Sequence, residues 1–521
     1  MARKPHLSEQ VPPLASWLFC GLMYLLLLLR WGYSLGRGDQ IEVLPYALWL
    51  NDTSLFPHDL FLQALVEIVP NERWTIAQLM ALWGEQMALG AFLLHMMVSL
   101  TLLLGMERLA RHFISSPYLA WLAIFLCLIP FYLWNPGANE LYYNTFTAAN
   151  PAKALGIWGL YLGIRKRQVP AALLLALSTL FHPLVGLQLA LLQLGSSFLL
   201  WLEEGREKKK LFQLLLPFFI YLPTGLLYVG LIQLAYSGAP SPLSREAFFD
   251  LIFDFRNAHH YLPSHYPLKS WLMAALCWGM AFWQLRAHRW LKHWLLLLLL
   301  GCIIYTIGVE GFRSPELAPA QWFKTTLWLK FLGWVAVMKV VEQQLPNALR
   351  AWRLVGEKAL LLALSLLMAV GLWGLQLRPP WAVPWDFGQQ LQNDPLITVC
   401  RQAQLLTPKD AVFIYPLEVT EFAYYGRRSS YVDYKANLKQ NAGASVWAER
   451  LQQVYGLDFR QPPADIKSAA RSHFLALDSL QLRHLAEQGV THILTYGEHQ
   501  LDHLPWLAGS GPWQLYEMSG R

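Results

Sequence analysis

The chain has 521 residues, 55% of them hydrophobic and only 14% charged, where a soluble domain carries about a quarter charged. That balance excludes an ordinary soluble protein and defines an integral membrane protein, with 24 Trp, 22 Tyr and 26 Phe to occupy headgroup level. The formal charge of +7 does not point to a nucleic-acid partner, because the basic residues lie in short loops between apolar runs, as membrane topology requires.

Apolar runs fall near 14–34, 85–106, 118–134, 152–164, 169–182, 184–202, 211–234, 270–285, 294–309, 325–342 and 358–377. A span needs about 20 residues, so the pattern predicts about eleven spans in a mainly α, polytopic transmembrane bundle. The first run ends at Arg30 with no small-residue cleavage site after it and reads as a retained signal anchor. Cys20, Cys127, Cys277 and Cys302 lie in apolar runs and Cys400 stands alone, so no disulfide and no metal motif is expected.

Basic residues concentrate on alternate loops. One set holds Arg3 and Lys4, Arg108 and Arg111, Arg165 to Arg167, Arg206 with Lys208 to Lys210, Arg286 to Lys292, and Arg350 to Lys358. The other loops are longer and carry fewer cations. The positive-inside rule makes the first set cytoplasmic, which puts the N-terminus inside and the C-terminus outside the cytoplasmic (inner) membrane.

The first outer loop, Arg37–Thr75, contains Asp39, Glu42, Asp52, His58 and Asp59 among aromatic residues, with breaks at Gly38, Pro45 and Pro57. It reads as a shaped loop with short interfacial helices. Asp39 and Glu42 share a face of a helical turn. One reading makes them a general base with a partner or metal ligand, their repulsion raising one pKa toward a useful value. The other makes them acids welcomed by a helix N-terminus. His58 and Asp59 are further substrate-binding candidates.

The second outer loop, 135–151, places Glu140 beside Tyr142, Tyr143, Asn139 and Asn144. In one reading Glu140 faces Asp39 across a cavity and shares a cation or a sugar hydroxyl with it; in the other it belongs to an ordinary polar interfacial loop. His182-Pro183 breaks an apolar stretch; His182 either reaches the cavity or caps a re-entrant turn. In loop 236–269, Arg256, His259 and His260 form a cationic group. Arg313 and Lys324 from loop 310–324 add fixed charge, and the set is suited to clamping a phosphate. Glu85 and His95 lie in or near the second span, and Lys330 is expected to snorkel. Asn51-Asp52-Thr53 is a weak match to an N-glycosylation pattern.

From Arg378 the composition changes. Pro379, Pro380 and Pro384 make a stiff linker. Helix-like 395–406, 446–455 and 477–488 then alternate with strand-like 411–415, 429–434, 491–496 and 513–518, which predicts a small α/β domain. The predicted division is 1–377 for the membrane bundle and 378–521 for the extracytoplasmic domain.

This layout resembles the GT-C glycosyltransferase superfamily. The pattern falls on Asp39 in GDQIE, Glu140 in NELYYN and the α/β tail. LFPHDLFLQ, FHPLVGLQ, RNAHHYLP and AVFIYP together also resemble an uncharacterised bacterial family of large membrane proteins. Neither outer loop holds a DxD, and the tail lacks WWDYG. The resemblance implies sugar transfer from a polyprenyl-phosphate lipid donor to an envelope acceptor, with a divalent cation as a candidate cofactor. A non-catalytic membrane anchor presenting the tail for envelope assembly, and a transporter, are the alternatives.

Overall fold

The computed structural model describes residues 13–205, 208–237, 242–344, 394–436, 438, 440–499 and 501–518. The expected last span at 358–377 and the proline linker lie outside the described residues. Every apolar run before residue 345 forms a helix. Among the described residues, five helices are long and apolar enough to cross a membrane: Pro13–Trp31, Gly84–Phe113, Pro183–Glu203, Leu215–Tyr236 and Arg289–Gly311. Pro117–Leu128 and Gln168–Phe181 are shorter apolar helices. Together they make this an integral membrane protein.

Local sequence sets the ends and defects of these helices. Ser116 caps the helix that begins at Pro117. In Leu215–Tyr236, Pro217 and Pro223 lack the N–H of a regular ladder, and residues Leu222–Leu227 widen into a π segment. The helices at 268–285 and 326–344 pack against each other. At Gly333 an added Cβ would lie 2.5 Å from Cys277 Cβ, so only glycine permits that approach. All five cysteines are free and buried.

The first outer loop folds as the 3-10 turn Gly38–Glu42 and the helices Leu44–Asn51, Leu60–Glu67 and Trp74–Ala81. Pro45 sits in the first turn of its helix, where its missing N–H costs nothing.

The C-terminal part carries a five-stranded sheet in the order β2-β1-β3-β5-β4, made of β1 Val412–Ile414, β2 Ser429–Ser430, β3 His492–Tyr496, β4 Trp506–Ser510 and β5 Trp513–Glu517. β1 runs parallel to β2 and β3, with Phe413 opposite His492. β5 is antiparallel to β3 and β4. Period-two alternation splits the strands' apolar side chains into two cores. Phe413, Tyr415, Leu494 and Leu515 face Ile397 and Phe422 within the domain. Val412, Ile414 and Ile493 join a core with Trp447 and Leu451 that is continuous with the membrane half. Burial on both faces explains why AVFIY reads as an unbroken apolar run. The helices at Pro395–Leu406 and Asn441–Tyr455 fall where expected. The helix Ile466–Leu475 and strand β4 were not foreseen, the latter because Pro505, Gly509 and Gly511 read as loop.

Candidate functional site

The GDQIE turn is tied on one side to the second outer loop and on the other to the C-terminal domain. Gln40 is fully buried. Its side chain accepts the Gly36 N–H at 2.7 Å and donates to the Phe146 carbonyl at 2.9 Å. Arg37 pairs at 3.0 Å with both Asp394 and Glu421, and the Gly38 N–H donates to Thr420 Oγ1. Gly36 has φ +70, and a Cβ there would meet the Tyr424 ring at 2.7 Å, so this turn needs glycine. Beneath it, the buried His95 donates Nε2–H to the Tyr143 carbonyl at 2.8 Å and accepts the Tyr24 hydroxyl at Nδ1. This network fixes the second loop from below.

Asp39 stands on this frame. Its side chain is 64% exposed, and Lys435 Nζ of the C-terminal domain lies 2.9 Å from Oδ1. Desolvation opposes its charge, but Lys435, by charge and hydrogen bond, and the charges of His260 and Lys324 outweigh that and hold Asp39 at about 2. The reading in which repulsion between Asp39 and Glu42 raises one of the two pKa values is therefore corrected for Asp39. Glu42 is turned away, buried and paired with Arg73 at the start of the Trp74–Ala81 helix.

Lys153, in the first turns of the helix Ala149–Ile164, reaches back to Tyr143 and Asn139 of the second outer loop. The Lys153 ammonium is fully buried, donates to Asn139 Oδ1 at 2.9 Å and to the Glu140 carbonyl, and lies 3.9 Å over the Tyr143 ring. The charges of Asp39 and Glu140 both act on it. The Glu140 carboxylate does not join Asp39. Both its oxygens accept from Lys330, at 2.8 and 2.7 Å, and one takes the Leu133 N–H. Lys330 does not snorkel; at 2% exposure it is locked in this pair.

The two ion pairs differ in kind. An exposed pair is worth about 0.2–1 kcal/mol, so Asp39–Lys435 separates easily. Breaking a buried pair by removing one partner costs about 3–5 kcal/mol, so Glu140–Lys330 is structural.

The cationic candidates divide likewise. The His259 and His260 rings lie 4.0 Å apart, tilted by 40°, and His260 Nδ1–H donates to the Gly137 carbonyl, which leaves Nε2 as an acceptor. Burial pushes both imidazoles down, and neighbouring cations, Arg256 for His259 and Lys324 for His260, add to it. Lys324 packs its stem against Gly137 and acts on Asp39, Lys153 and His260. These residues do converge.

Arg256 and Arg313 are corrected. Arg256 spends its guanidinium on the carbonyls of Tyr434 and Lys435 and on Asn257, and lies over the Tyr434 ring. Arg313 pairs with Asp250 and Asp254. Neither presents an open phosphate fork.

Asp59 and His182 serve the fold, while the contact of His58 is made by its backbone and leaves its imidazole exposed. The His58 N–H donates to Ser429 Oγ. Asp59 caps the Leu60–Glu67 helix through Leu62 N–H and takes the Ser430 N–H of β2. His182 caps Pro183–Glu203 through Val185 N–H, between two helices that pack on each other. Among the described residues no three His, Cys, Asp or Glu side chains are gathered as metal ligands.

Lys435 and Lys153 were not foreseen. Lys153 had a signal, a lone cation opening an apolar run. Lys435 had none, since a single lysine in a polar tail is ordinary.

Asp433, two residues before Lys435, is a second titrating group at this junction. It accepts the Lys435 N–H at 2.7 Å and the Tyr415 hydroxyl at 2.9 Å. Burial, helped by the charge of Asp59, raises it from 3.8 to about 6. An acid raised on folding loses stability as pH climbs through its folded pKa and regains it as pH falls toward the unfolded value. The wild type should therefore gain stability relative to Asp433→Asn between pH 7 and pH 5. Paired thermal melts of the two proteins across that range check this; parallel curves would remove Asp433 as the cause.

The fold is similar to that of known multi-helix structures at low sequence identity. The apo oligosaccharyltransferase of Archaeoglobus fulgidus is similar over 94% of this chain and 70% of its own, at a TM-score of 0.50 and 13% identity. ArnT from Cupriavidus metallidurans, in the apo state, covers 98% of this chain and 99% of its own at a TM-score of 0.47 and 15% identity. ArnT bound to undecaprenyl phosphate gives 96% and 98%, 0.46 and 15%. At these identities the likeness is one of fold. Residues 394–454 match a family model described as a domain of unknown function (DUF6798). No curated protein sequence matches the chain.

Proposed function

We propose that this protein is a GT-C-type membrane glycosyltransferase that moves a sugar from a polyprenyl-phosphate lipid donor to an envelope acceptor at the outer face. The observation that carries this is the meeting of one solvent-open carboxylate, Asp39, with Lys435, Lys324 and the His259–His260 pair. A hydroxyl nucleophile needs a base, and a departing phosphate needs positive charge already in place. In the proposed reaction Asp39 takes the acceptor hydroxyl proton as that oxygen bonds to the anomeric carbon. The bond from that carbon to the phosphate oxygen breaks, and the phosphate keeps the electron pair opposite the lysines. Glu140 contributes by holding the second loop, and Glu42 by holding the turn.

The test is transfer of radiolabelled sugar from a polyprenyl-phosphate donor in membranes from cells expressing the protein. Transfer above membranes lacking it supports the reading, and its absence across donor sugars with inserted protein counts against it.

The orientation belongs to the same proposal, with about eleven spans and a division at 377/378. Reporter fusions at Lys208 and Gln440 should report opposite sides, cytoplasmic and extracytoplasmic. Two cytoplasmic signals would put the site on the wrong face.

A further inference from the structure

The segment 433–435 is held from both halves of the protein. Arg256 of the membrane half donates to the carbonyls of Tyr434, at 2.6 Å, and Lys435, at 3.1 Å. Within the C-terminal domain, Trp447 Nε1–H donates to the Asp433 carbonyl and Asp433 accepts the Lys435 N–H. The backbone under Lys435 is thus pinned, while its side chain stays 35% exposed and its head reaches a carboxylate that is itself 64% exposed. A pinned stem with a solvent-open head suits exchange of partners. Lys330, 2% exposed and holding both oxygens of Glu140, is the opposite case in the same molecule.

We infer that Lys435 is the phosphate-binding residue of the site and acts as an exchangeable latch: a phosphate group, on a lipid or free, takes its ammonium from Asp39 and so frees the carboxylate. A phosphate offers more charge and more acceptor oxygens than one carboxylate, and charge-assisted bonds to it are strong. The low pKa of Asp39 in the latched state follows from the same contact and rises once the ammonium leaves. What the freed carboxylate then does rests on the glycosyltransferase reading; the exchange itself does not.

The experiment uses the full chain in phosphatidylcholine nanodiscs, titrated with radiolabelled polyprenyl phosphate. The matching polyprenol and inorganic phosphate form separate arms. Lys435→Ala should bind polyprenyl phosphate about 10- to 100-fold more weakly, the worth of a charge-assisted hydrogen bond. Lys435→Arg should stay near wild type. Asp39→Asn should bind about two- to fivefold more tightly, because its competing pair is gone. Lys409→Ala, which removes an exposed bridge from the same domain to Asp52, should bind as wild type and controls for loosened docking.

Wild-type affinity in Lys435→Ala, or a loss in Asp39→Asn that parallels it, overturns the latch. Lys435-dependent binding of inorganic phosphate supports it with the free ion as ligand; Lys435-dependent binding of polyprenyl phosphate alone supports it with the lipid. If sugar is transferred and Lys435→Ala leaves the donor KM unchanged, the latch fails while the enzyme reading stands. If Lys435-dependent phosphate binding occurs without any sugar transfer, the latch stands and that reading fails.

Discussion

Asp39→Asn should lower sugar transfer by about 10²–10⁴-fold, the usual loss on removing a general base, with polyprenyl-phosphate binding kept and about two- to fivefold tighter. Asparagine fits the same space without the charge that holds Lys435, so the turn should keep its place while the ion pair is lost. Its other fastenings, Gln40 to Phe146 and Arg37 to Asp394 and Glu421, do not involve the carboxylate. What is lost is the ability to take a proton. Radiolabelled transfer measured beside lipid binding separates the two effects. Transfer at the wild-type rate would remove Asp39 as base, and loss of both together would make it a structural acid.

Lys330→Met carries the largest expected effect on stability. It leaves the Glu140 carboxylate buried with the Leu133 N–H but without its ammonium, at a cost of about 3–5 kcal/mol. It also strips a donor from the Phe131 carbonyl. Because the loss comes from an uncompensated charge, Lys330→Met combined with Glu140→Gln should recover much of it. The exposed Lys409–Asp52 bridge is the internal contrast, and Lys409→Met should cost about 1 kcal/mol or less. Thermal melting of the detergent-solubilised variants measures all three. A Lys330→Met protein as stable as wild type would show that Glu140 is solvated or protonated, and would reopen Glu140 as a partner for Asp39.

Four of the residues read as ligands from sequence prove to be fasteners: Asp59 and His182 cap helices, Arg256 staples the C-terminal domain, and Glu42 pairs with Arg73. Capping acids and imidazoles use the same chemistry as substrate ligands, accepting or donating one directed hydrogen bond. A loop sequence with Pro, His and Asp therefore does not separate the two roles.

The sequence by itself determined the membrane class, the positions of the described apolar helices and most of the tail's strands and helices. Those features follow from local periodicity and from the length of unbroken apolar runs. It also marked the loops that carry charge. Tertiary structure alone decided which charges meet. Asp39 pairs with Lys435 from the far end of the chain rather than with Glu42 three residues away, and Glu140 pairs with Lys330 rather than with Asp39. The physical reason is that burial sets the worth of a charge, and burial depends on how distant segments pack. Lys330 and Lys435 are the same side chain in sequence. One is sealed among helices and holds the fold, and the other stands open beside Asp39.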